Sequence, residues 1–206
     1  MLIGDGGNPS PYRRGLFSKI EGVMKFKIAM MVLFVLVSFS TIAAELSDIS
    51  NYREYSSAFS SSGQPTKDQL VMLKEAGFER IIYLAFSNNE NALADEDVVV
   101  KELGMDYVHI PVIWEQPTAS DFYAFAGSMQ RQPDRKTLLH CQVNFRASAF
   151  SFLYRVLYRD VPIGDAKDDM DSVWLPNQTW RELIFGILEE NGESPYCDEC
   201  LWDTDT

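Results

Sequence analysis

The residue types best suited to chemistry lie together in the stretch Leu138–Phe150, LLHCQVNFRASAF. A short apolar run ends in His140 and Cys141, four residues follow, and Arg146 and Ser148 then stand at the head of a segment with helical periodicity. A cysteine close to a helix N-terminus and an arginine favours the thiolate, which is the nucleophilic form of the side chain. The pattern therefore predicts a nucleophilic cysteine beside an anion-binding loop.

The turn from this strand into the helix consists of Gln142, Val143, Asn144 and Phe145. Backbone N–H groups in such a turn, together with the unpaired N–H groups of the following helix, form a site for an anion. The planar guanidinium of Arg146 would bind the same anion. A turn this tight needs a residue at positive φ, and Asn144 is the candidate because asparagine tolerates that conformation.

We expect His140 to orient the cysteine loop and Ser148 to donate a hydrogen bond to the sulfur. The alternative is a structural cysteine at a strand end, because cysteine is among the most buried residue types. The combined order of strand, His-Cys pair, short loop, arginine and helix favours catalysis or anion binding over that alternative.

Strand and helix patterns alternate around this stretch. Helices are predicted over residues 67–76, 95–103, 118–130 and 146–159, and strands over 51–60, 80–86, 106–114 and 137–141. The strands are nearly continuous in apolar residues, which is typical of a mostly parallel sheet with helices on both faces. The sequence thus predicts a single α/β domain with four or five strands. Ligands bind at the carboxyl ends of strands in such sheets, and Cys141 lies at one of these ends.

The first 44 residues do not resemble part of that domain. Residues 24–44, MKFKIAMMVLFVLVSFSTIAA, combine two lysines, an apolar run and small residues, which is the layout of a cleaved secretory signal peptide. The apolar run is short for a membrane span, and an uncleaved N-terminal anchor is the alternative. Met24 then fits as the natural start, with residues 1–23 as an upstream extension. We expect residues 45–206 to form a periplasmic or secreted domain.

The charge balance limits the partners of this domain. Residues 1–44 carry five of the 18 basic and two of the 30 acidic residues, so the remainder has 13 basic against 28 acidic residues. A net charge near −15 argues against binding nucleic acid or anionic membranes through a general basic surface. An anionic substrate would therefore be held by local geometry.

Besides Cys141, the sequence contains Cys197 and Cys200. In an oxidising compartment this pair most simply forms a local disulfide, which leaves Cys141 as a free thiol. Two cysteines without a nearby histidine are too few for a structural zinc site. The acidic stretch 165–171 lacks the spacing of a calcium loop and is interpreted as a solvated loop. We expect no metal and no cofactor.

The stretch HCQVNFRAS at 140–148 resembles the signature of the cysteine-dependent tyrosine and dual-specificity phosphatase superfamily. Its signature has five residues between cysteine and arginine, whereas this chain has four. The shorter spacing is similar to rhodanese sulfurtransferases and to a small bacterial phosphatase-like family that is also found fused to β-lactamase-like hydrolases. The latter resemblance is the closer one and extends over nearly all of the predicted mature domain, including SGQPT at 62–66 and LGMDYVHIPV at 103–112 as well as HCQVNFRAS.

The resemblance implies a phosphatase-like fold and hydrolysis of phosphoesters through a phosphocysteine on Cys141. Arg146 would clamp the phosphate, and the amides of residues 142–145 would bind its oxygens. Related enzymes protonate the leaving oxygen with an aspartate in the loop after the preceding strand. Here that loop holds Glu115, the first candidate, and Asp121, whose position favours a first-turn helix acid. Because no aspartate stands at the expected place, slow turnover is expected. Asn144 stands where the family more often has glycine.

Other functions remain open at this point. A smaller loop would suit a Cys141 persulfide in a rhodanese-like sulfurtransferase. The loop could instead hold an anion or a phosphorylated partner without catalysis, or Cys141 could exchange disulfides with the two C-terminal cysteines. The leading prediction is a phosphoric monoester hydrolase for small or protein-borne phosphate esters, with protein phosphotyrosine among the candidate substrates.

Two expectations concern packing. His109 lies within an apolar strand and is interpreted as a core histidine, not as a base. Trp174, Trp180 and Phe185 are expected to pack a C-terminal helix onto the domain.

Overall fold

The computed structural model describes residues 46–198 and 200–202, which lie within one compact unit, Ala44–Thr206. The predicted signal peptide, 24–44, and the upstream extension, 1–23, lie outside the described residues. Among the described helices, none is long and apolar enough to cross a membrane.

A five-stranded sheet runs through this unit in the order β1-β2-β5-β3-β4. Its strands are β1 (Arg53–Ser56), β2 (Phe59–Ser62), β3 (Arg80–Tyr83), β4 (Asp106–His109) and β5 (Thr137–His140). β1 pairs with β2 in antiparallel fashion, and the other neighbouring strands are parallel. The prediction of a mostly parallel sheet is confirmed.

Six helices occur in the described part of the chain. They are α1 (Lys67–Glu75), α2 (Glu96–Glu102), α3 (Ala119–Gln130), α4 (Phe145–Arg159), α5 (Ile163–Asp171) and α6 (Gln178–Glu190). The connections through α1 and α2 cross the sheet in the same direction, from β2 to β3 and from β3 to β4, whereas the connection through α3 crosses back from β4 to β5. Because such crossovers are right-handed, α1 and α2 lie on one face of the sheet and α3 lies on the other. The predicted α/β arrangement with helices on both faces is confirmed.

α4 is the central helix of the larger core. Phe150 and Tyr154 are buried on α4 and contact Phe125 of α3, while Trp180 of α6 packs against Phe150 with ring centroids 6.0 Å apart. Phe185, further along α6, contacts Trp202 edge-on at 4.9 Å. The predicted packing of the C-terminal helix through aromatic side chains is confirmed.

Two predicted elements are wrong. Residues 51–60 do not form one strand: the chain turns after Ser56, and β2 extends to Ser62. The serines of β2 are fully buried, so an apolar pattern does not reveal this strand. The stretch 165–171, interpreted as a loop, lies in α5, whose buried residues recur on one helical face among exposed acids.

The interpretation of His109 as a core residue is also wrong. β4 is an edge strand, and the His109 side chain is exposed. Its Nε2 lies 2.7 Å from the Ala85 carbonyl oxygen, and its ring stacks on Tyr83 with centroids 5.2 Å apart. A strand at the edge of a sheet exposes some of its side chains to water, and an apolar sequence pattern does not show that a strand lies at the edge.

Candidate active site

Cys141 follows the last residue of β5, where the central strand of the sheet ends. Its side chain is fully buried and it is a free thiol. The chain then reverses through three residues, and α4 begins at Phe145. Asn144 adopts the left-handed conformation with φ 71°, as the tight turn requires. The predicted strand, loop and helix around the cysteine are therefore present.

The turn after β2 supports this loop from one side. Gly63 forms an isolated antiparallel bridge with Val143, and the backbone N–H of Gln64 donates to the Gln142 carbonyl at 3.0 Å. Asn51 Nδ2 donates to the Val143 carbonyl at 3.0 Å. The Gln142 carbonyl thus accepts from the turn after β2, and the Val143 carbonyl accepts from the segment before β1.

Asn144 adds a second connection to the segment before β1. Its side chain is fully buried, and its Nδ2 donates to the Asn51 carbonyl at 2.6 Å. Together with the bond from Asn51 to Val143, this makes a reciprocal pair of hydrogen bonds. The asparagine therefore supplies both the positive φ and a contact that glycine could not make.

The N–H groups of the loop remain available to a ligand. Among the described residues, the backbone N–H groups of Gln142, Val143, Phe145 and Arg146 donate to no protein acceptor. Those of Phe145 and Arg146 are in the first turn of α4, where no intrahelical acceptor exists, and they carry the positive end of the helix dipole. An anion is the ligand that satisfies such groups.

Two contacts orient the Arg146 side chain. Its Nε donates to the Val112 carbonyl at 3.1 Å, and its guanidinium lies over the Trp114 ring, 5.2 Å from the centroid. Within the described residues no carboxylate pairs with it. The terminal nitrogens are therefore free to bind an anion as a planar fork.

His140 is fully buried in the sheet, one residue before the cysteine. Burial lowers the pKa of His140 to about 3, so its ring is neutral at physiological pH. The ring stacks on Tyr83 at 4.7 Å, and its Nε2 lies 3.3 Å from Oε1 of Glu96. A fixed, neutral imidazole suits the predicted role of orienting the cysteine loop.

Ser148 lies one turn into α4 and is buried. Its hydroxyl donates to the Phe145 carbonyl at 3.1 Å and accepts from Trp174 Nε1 at 3.0 Å. The hydroxyl proton is thus donated to a carbonyl group of the same helix, and a hydrogen bond from Ser148 to the Cys141 sulfur stays a prediction.

A cleft of about 510 Å³ opens beside the loop. Its lining includes Gln142, Val143, Phe145 and Arg146, together with Phe86, Asn89, Ile113, Trp114 and Glu115. Glu115, the first candidate for the general acid, thus shares the cleft with Arg146. Asp121 instead caps α3, where its Oδ2 accepts from the Thr118 N–H and hydroxyl at 2.9 and 2.7 Å.

Sequence reasoning missed Glu96 and Gln64 as parts of the site. Gln64 belongs to the SGQPT turn and its Nε2 donates to Glu96 Oε1 at 2.9 Å. Glu96 looks like an ordinary first-turn helix acid in the sequence, and its burial depends on the packing of α2 against β4. In the sequence, only the SGQPT motif pointed to Gln64, and no signal pointed to Glu96.

Cys197 and Cys200 are joined by a disulfide in the C-terminal segment. Among the described residues no group of three or more histidine, cysteine, aspartate or glutamate side chains could hold a metal ion. The expected absence of a cofactor stays a prediction.

Comparison with known proteins gives a family for this site. A model for DSP-PTPase phosphatase fused to NAD+ kinase matches residues 32–172, more than half of the chain. A DUF442 protein from Shewanella putrefaciens CN-32, assigned as a phosphatase, is 31% identical, with a TM-score of 0.65. That match covers 71% of this chain and 96% of the other. A search of curated proteins finds no match.

Two more distant structures share the fold. Tk-PTP in its active form has a TM-score of 0.58 at 14% identity and covers 68% of this chain and 97% of its own. PTPMT1 in complex with PI(5)P has a TM-score of 0.59 at 12% identity, with coverage of 68% and 96%. The sulfurtransferase alternative is not favoured by these comparisons. The chain belongs to the DSP-PTPase phosphatase family that this model describes, and it is a cysteine-dependent phosphatase-like hydrolase of phosphoesters.

Proposed function

We propose that this protein hydrolyses phosphate monoesters through a phosphocysteine on Cys141. The observation that carries the proposal is the loop that follows the cysteine, where four backbone N–H groups and the terminal nitrogens of Arg146 have no acceptor among the described residues. These donors would bind the three non-bridging oxygens of a phosphoryl group. They would also stabilise the charge that develops on those oxygens in the transition state.

The reaction proceeds in two displacements. The Cys141 thiolate attacks phosphorus, an S–P bond forms, and the P–O bond to the alcohol breaks as its oxygen takes a proton. Water then attacks the phosphocysteine, the S–P bond breaks, inorganic phosphate leaves, and the thiolate is restored. Glu115 would give the proton in the first step and accept one from water in the second.

The lining of the cleft supports a substrate with one phosphate and an apolar or aromatic alcohol. Phe86, Ile113 and Val143 expose 40%, 48% and 42% of their surface there, and Arg146 is the basic residue of the lining. A substrate with several phosphates would need further cations to offset its charge. We expect a higher kcat/KM for naphthyl phosphate than for an inositol polyphosphate.

Two sequence features support action outside the cytoplasm. Residues 24–44 have the layout of a secretory signal, and the Cys197–Cys200 disulfide is of the kind that persists in oxidising compartments. We expect the protein in a periplasmic or culture-medium fraction. Recovery in the cytoplasmic fraction with Cys197 and Cys200 reduced would contradict this part of the proposal.

The function is tested by hydrolysis of an aryl phosphate by purified, reduced protein. Cys141→Ser should abolish turnover because a serine hydroxyl is a far weaker nucleophile than a thiolate. Arg146→Ala should lower kcat/KM by about a hundredfold or more, the loss typical of removing a transition-state donor. Arg131→Ala, an exposed arginine outside the cleft, is the control and should keep full activity. Turnover that survives in Cys141→Ser would overturn the proposal.

A further inference from the structure

Two ionisable side chains are buried against each other behind the cysteine loop. His140 is fully buried, and Glu96, the first residue of α2, is 4% exposed. Nε2 of His140 lies 3.3 Å from Oε1 of Glu96, yet neither ring nitrogen has a hydrogen bond of normal geometry among the described residues. Because an unpaired buried polar atom is costly, this contact is where the imidazole finds its partner.

Glu96 also connects three segments around the loop. Its Oε1 accepts from Gln64 Nε2 at 2.9 Å, and its Oε2 accepts from the Tyr107 hydroxyl at 3.5 Å. The backbone N–H of Gln64 in turn donates to the Gln142 carbonyl at 3.0 Å. One carboxylate therefore contacts the end of β5, strand β4 and the turn that supports the loop.

Burial moves both groups towards their neutral forms. It raises the pKa of Glu96 to about 7, although hydrogen bonds from Gln64 and Tyr107 oppose the shift. It lowers the pKa of His140 to about 3. The proton that titrates near neutrality thus belongs to Glu96. The other titratable side chains around the pair are Tyr83, Asp95, Asp97, Lys101, Tyr107, His109 and Cys141.

The two protonation states of Glu96 require different tautomers of His140. A protonated Glu96 donates to Nε2, so the ring proton is on Nδ1, the nitrogen nearer the main chain, from which it would reach the backbone of Cys141. An ionised Glu96 accepts from Nε2–H and leaves Nδ1 without a proton. Loss of the Glu96 proton therefore moves the ring proton away from the cysteine.

We propose that Glu96 is a positioning residue, which sets the tautomer of His140 and, through Gln64, the position of the cysteine loop. The inference rests on the proposed function of Cys141 but concerns a residue that does not touch the substrate. The form with protonated Glu96 is the more active one, because Nδ1–H can then donate to the cysteine backbone and fix the loop. Activity should fall as Glu96 ionises.

The tautomer can be observed directly, since the chain contains two histidines whose imidazoles are separable after ¹⁵N-histidine labelling of untagged protein. Between about pH 6 and pH 8, one unit on either side of the raised pKa, the ¹⁵N shifts of His140 should change from the Nδ1–H to the Nε2–H pattern. Glu96→Gln can donate an amide hydrogen to Nε2 at every pH, so the change should vanish. Asp97→Asn, at an exposed carboxylate paired with Lys101, should leave it intact.

Kinetics give the second readout. In the wild type, kcat for an aryl phosphate should fall across this pH range, and Glu96→Gln should remove the fall with little change in KM. Glu96→Ala should lower kcat at least about fivefold, the equivalent of leaving one buried polar group unsatisfied. If Glu96→Ala does not fold, Glu96→Gln alone carries the test.

A wild-type His140 that keeps one tautomer from about pH 6 to pH 8, or that changes equally in Glu96→Gln, would overturn the inference. The ¹⁵N measurement needs no turnover. A protein without phosphatase activity whose His140 tautomer still follows Glu96 would therefore support the Glu96–His140 coupling and contradict only the proposed function.

Discussion

At the scale of single residues, the proposed nucleophile and its arginine lie in fixed surroundings. Cys141 is fully buried between a stacked histidine and the first turn of α4. Arg146 is held through Nε and the Trp114 ring, so its free nitrogens are already oriented when an anion arrives. Preorganised donors of this kind lower the cost of stabilising developing charge.

Glu115 gives the first prediction at this scale. If its carboxyl protonates the leaving oxygen, Glu115→Gln should lower kcat/KM, which reports the first displacement alone, strongly for phenyl phosphate and weakly for 4-nitrophenyl phosphate, whose leaving oxygen needs little help. Loss of an acid typically costs about a hundredfold or more. Steady-state rates for the two esters make the comparison. Equal losses for both would contradict the assignment, and Asp121→Asn, a change at a helix cap, serves as the control.

Asn144 gives the second prediction. Asn144→Gly keeps access to φ 71° but loses the bond to the Asn51 carbonyl, so it should retain activity and lose about 1 kcal/mol of stability. Asn144→Ala adds about 1–2 kcal/mol of left-handed backbone strain and should lose activity as well. Denaturant unfolding and aryl phosphate assays measure both effects. An alanine variant as active as the glycine variant would show that φ does not control the loop.

At the scale of elements, the loop depends on the turn between β2 and α1. A Cβ on Gly63 would lie 2.8 Å from the Gln142 carbonyl oxygen and 2.9 Å from Cβ of Ser50. Neither contact is tolerable, and neither neighbour is the end of a flexible chain. The glycine is therefore required by the close approach of two backbones.

Gly63→Ala should consequently displace the cysteine loop and lower kcat/KM by at least about tenfold, since small misplacements of reacting groups have large effects on rate. The matched control is Gly127→Ala on the exposed side of α3, where an added Cβ meets nothing within 4 Å. That variant should keep full activity and gain about 0.5–1 kcal/mol of helix stability. Full activity in Gly63→Ala would refute the supporting role of this turn.

Sequence patterns predicted some helices and strands of this fold and missed others. The four helices from α1 to α4 were predictable because cap residues, glycines and apolar periodicity indicate the same helices. The strands β3, β4 and β5 were predictable because each is a short run of β-branched and apolar residues. β2 and α5 were not, since buried serines and a largely acidic helix contradict the usual patterns. The loop was predictable from local order along the chain, whereas Glu96 enters the site through tertiary packing.

At the scale of the whole molecule, the formal net charge of −12 contrasts with the proposed binding of an anion in the cleft. The general field repels anionic substrates, so binding depends on the short-range donors of the loop and Arg146. This arrangement favours substrates with a single phosphate on an uncharged group. It also makes the measured kcat/KM sensitive to salt, which screens the repulsion.

The buried pair affects the stability of the whole domain. The pKa of Glu96 rises from 4.5, the ordinary value of an exposed glutamate, to about 7 on folding, so the folded state keeps a proton that the unfolded state loses between these values. The stability contribution of Glu96 is therefore lost as pH rises from 4.5 to about 7. The buried His140 has the opposite effect. Its pKa falls from 6.5 to about 3 on folding, so the free energy of unfolding rises with pH between these two values.

The two contributions oppose each other over the shared range, so comparison with Glu96→Gln isolates the carboxyl. The difference in free energy of unfolding, wild type minus variant, should fall as pH rises from 4.5 to about 7 and then level off. Urea unfolding at several pH values measures it. A difference that rises or stays constant over this interval would contradict a proton held by buried Glu96.

The central claim is that Cys141 carries the phosphoryl group during turnover. The most direct measurement is mass spectrometry of the peptide containing Cys141 after rapid acid quenching of protein mixed with excess aryl phosphate. We predict one added phosphoryl group on Cys141, formed as fast as the alcohol is released in the first turnover. Release of alcohol with Cys141 unmodified, or with the phosphoryl group on another residue, would contradict the account.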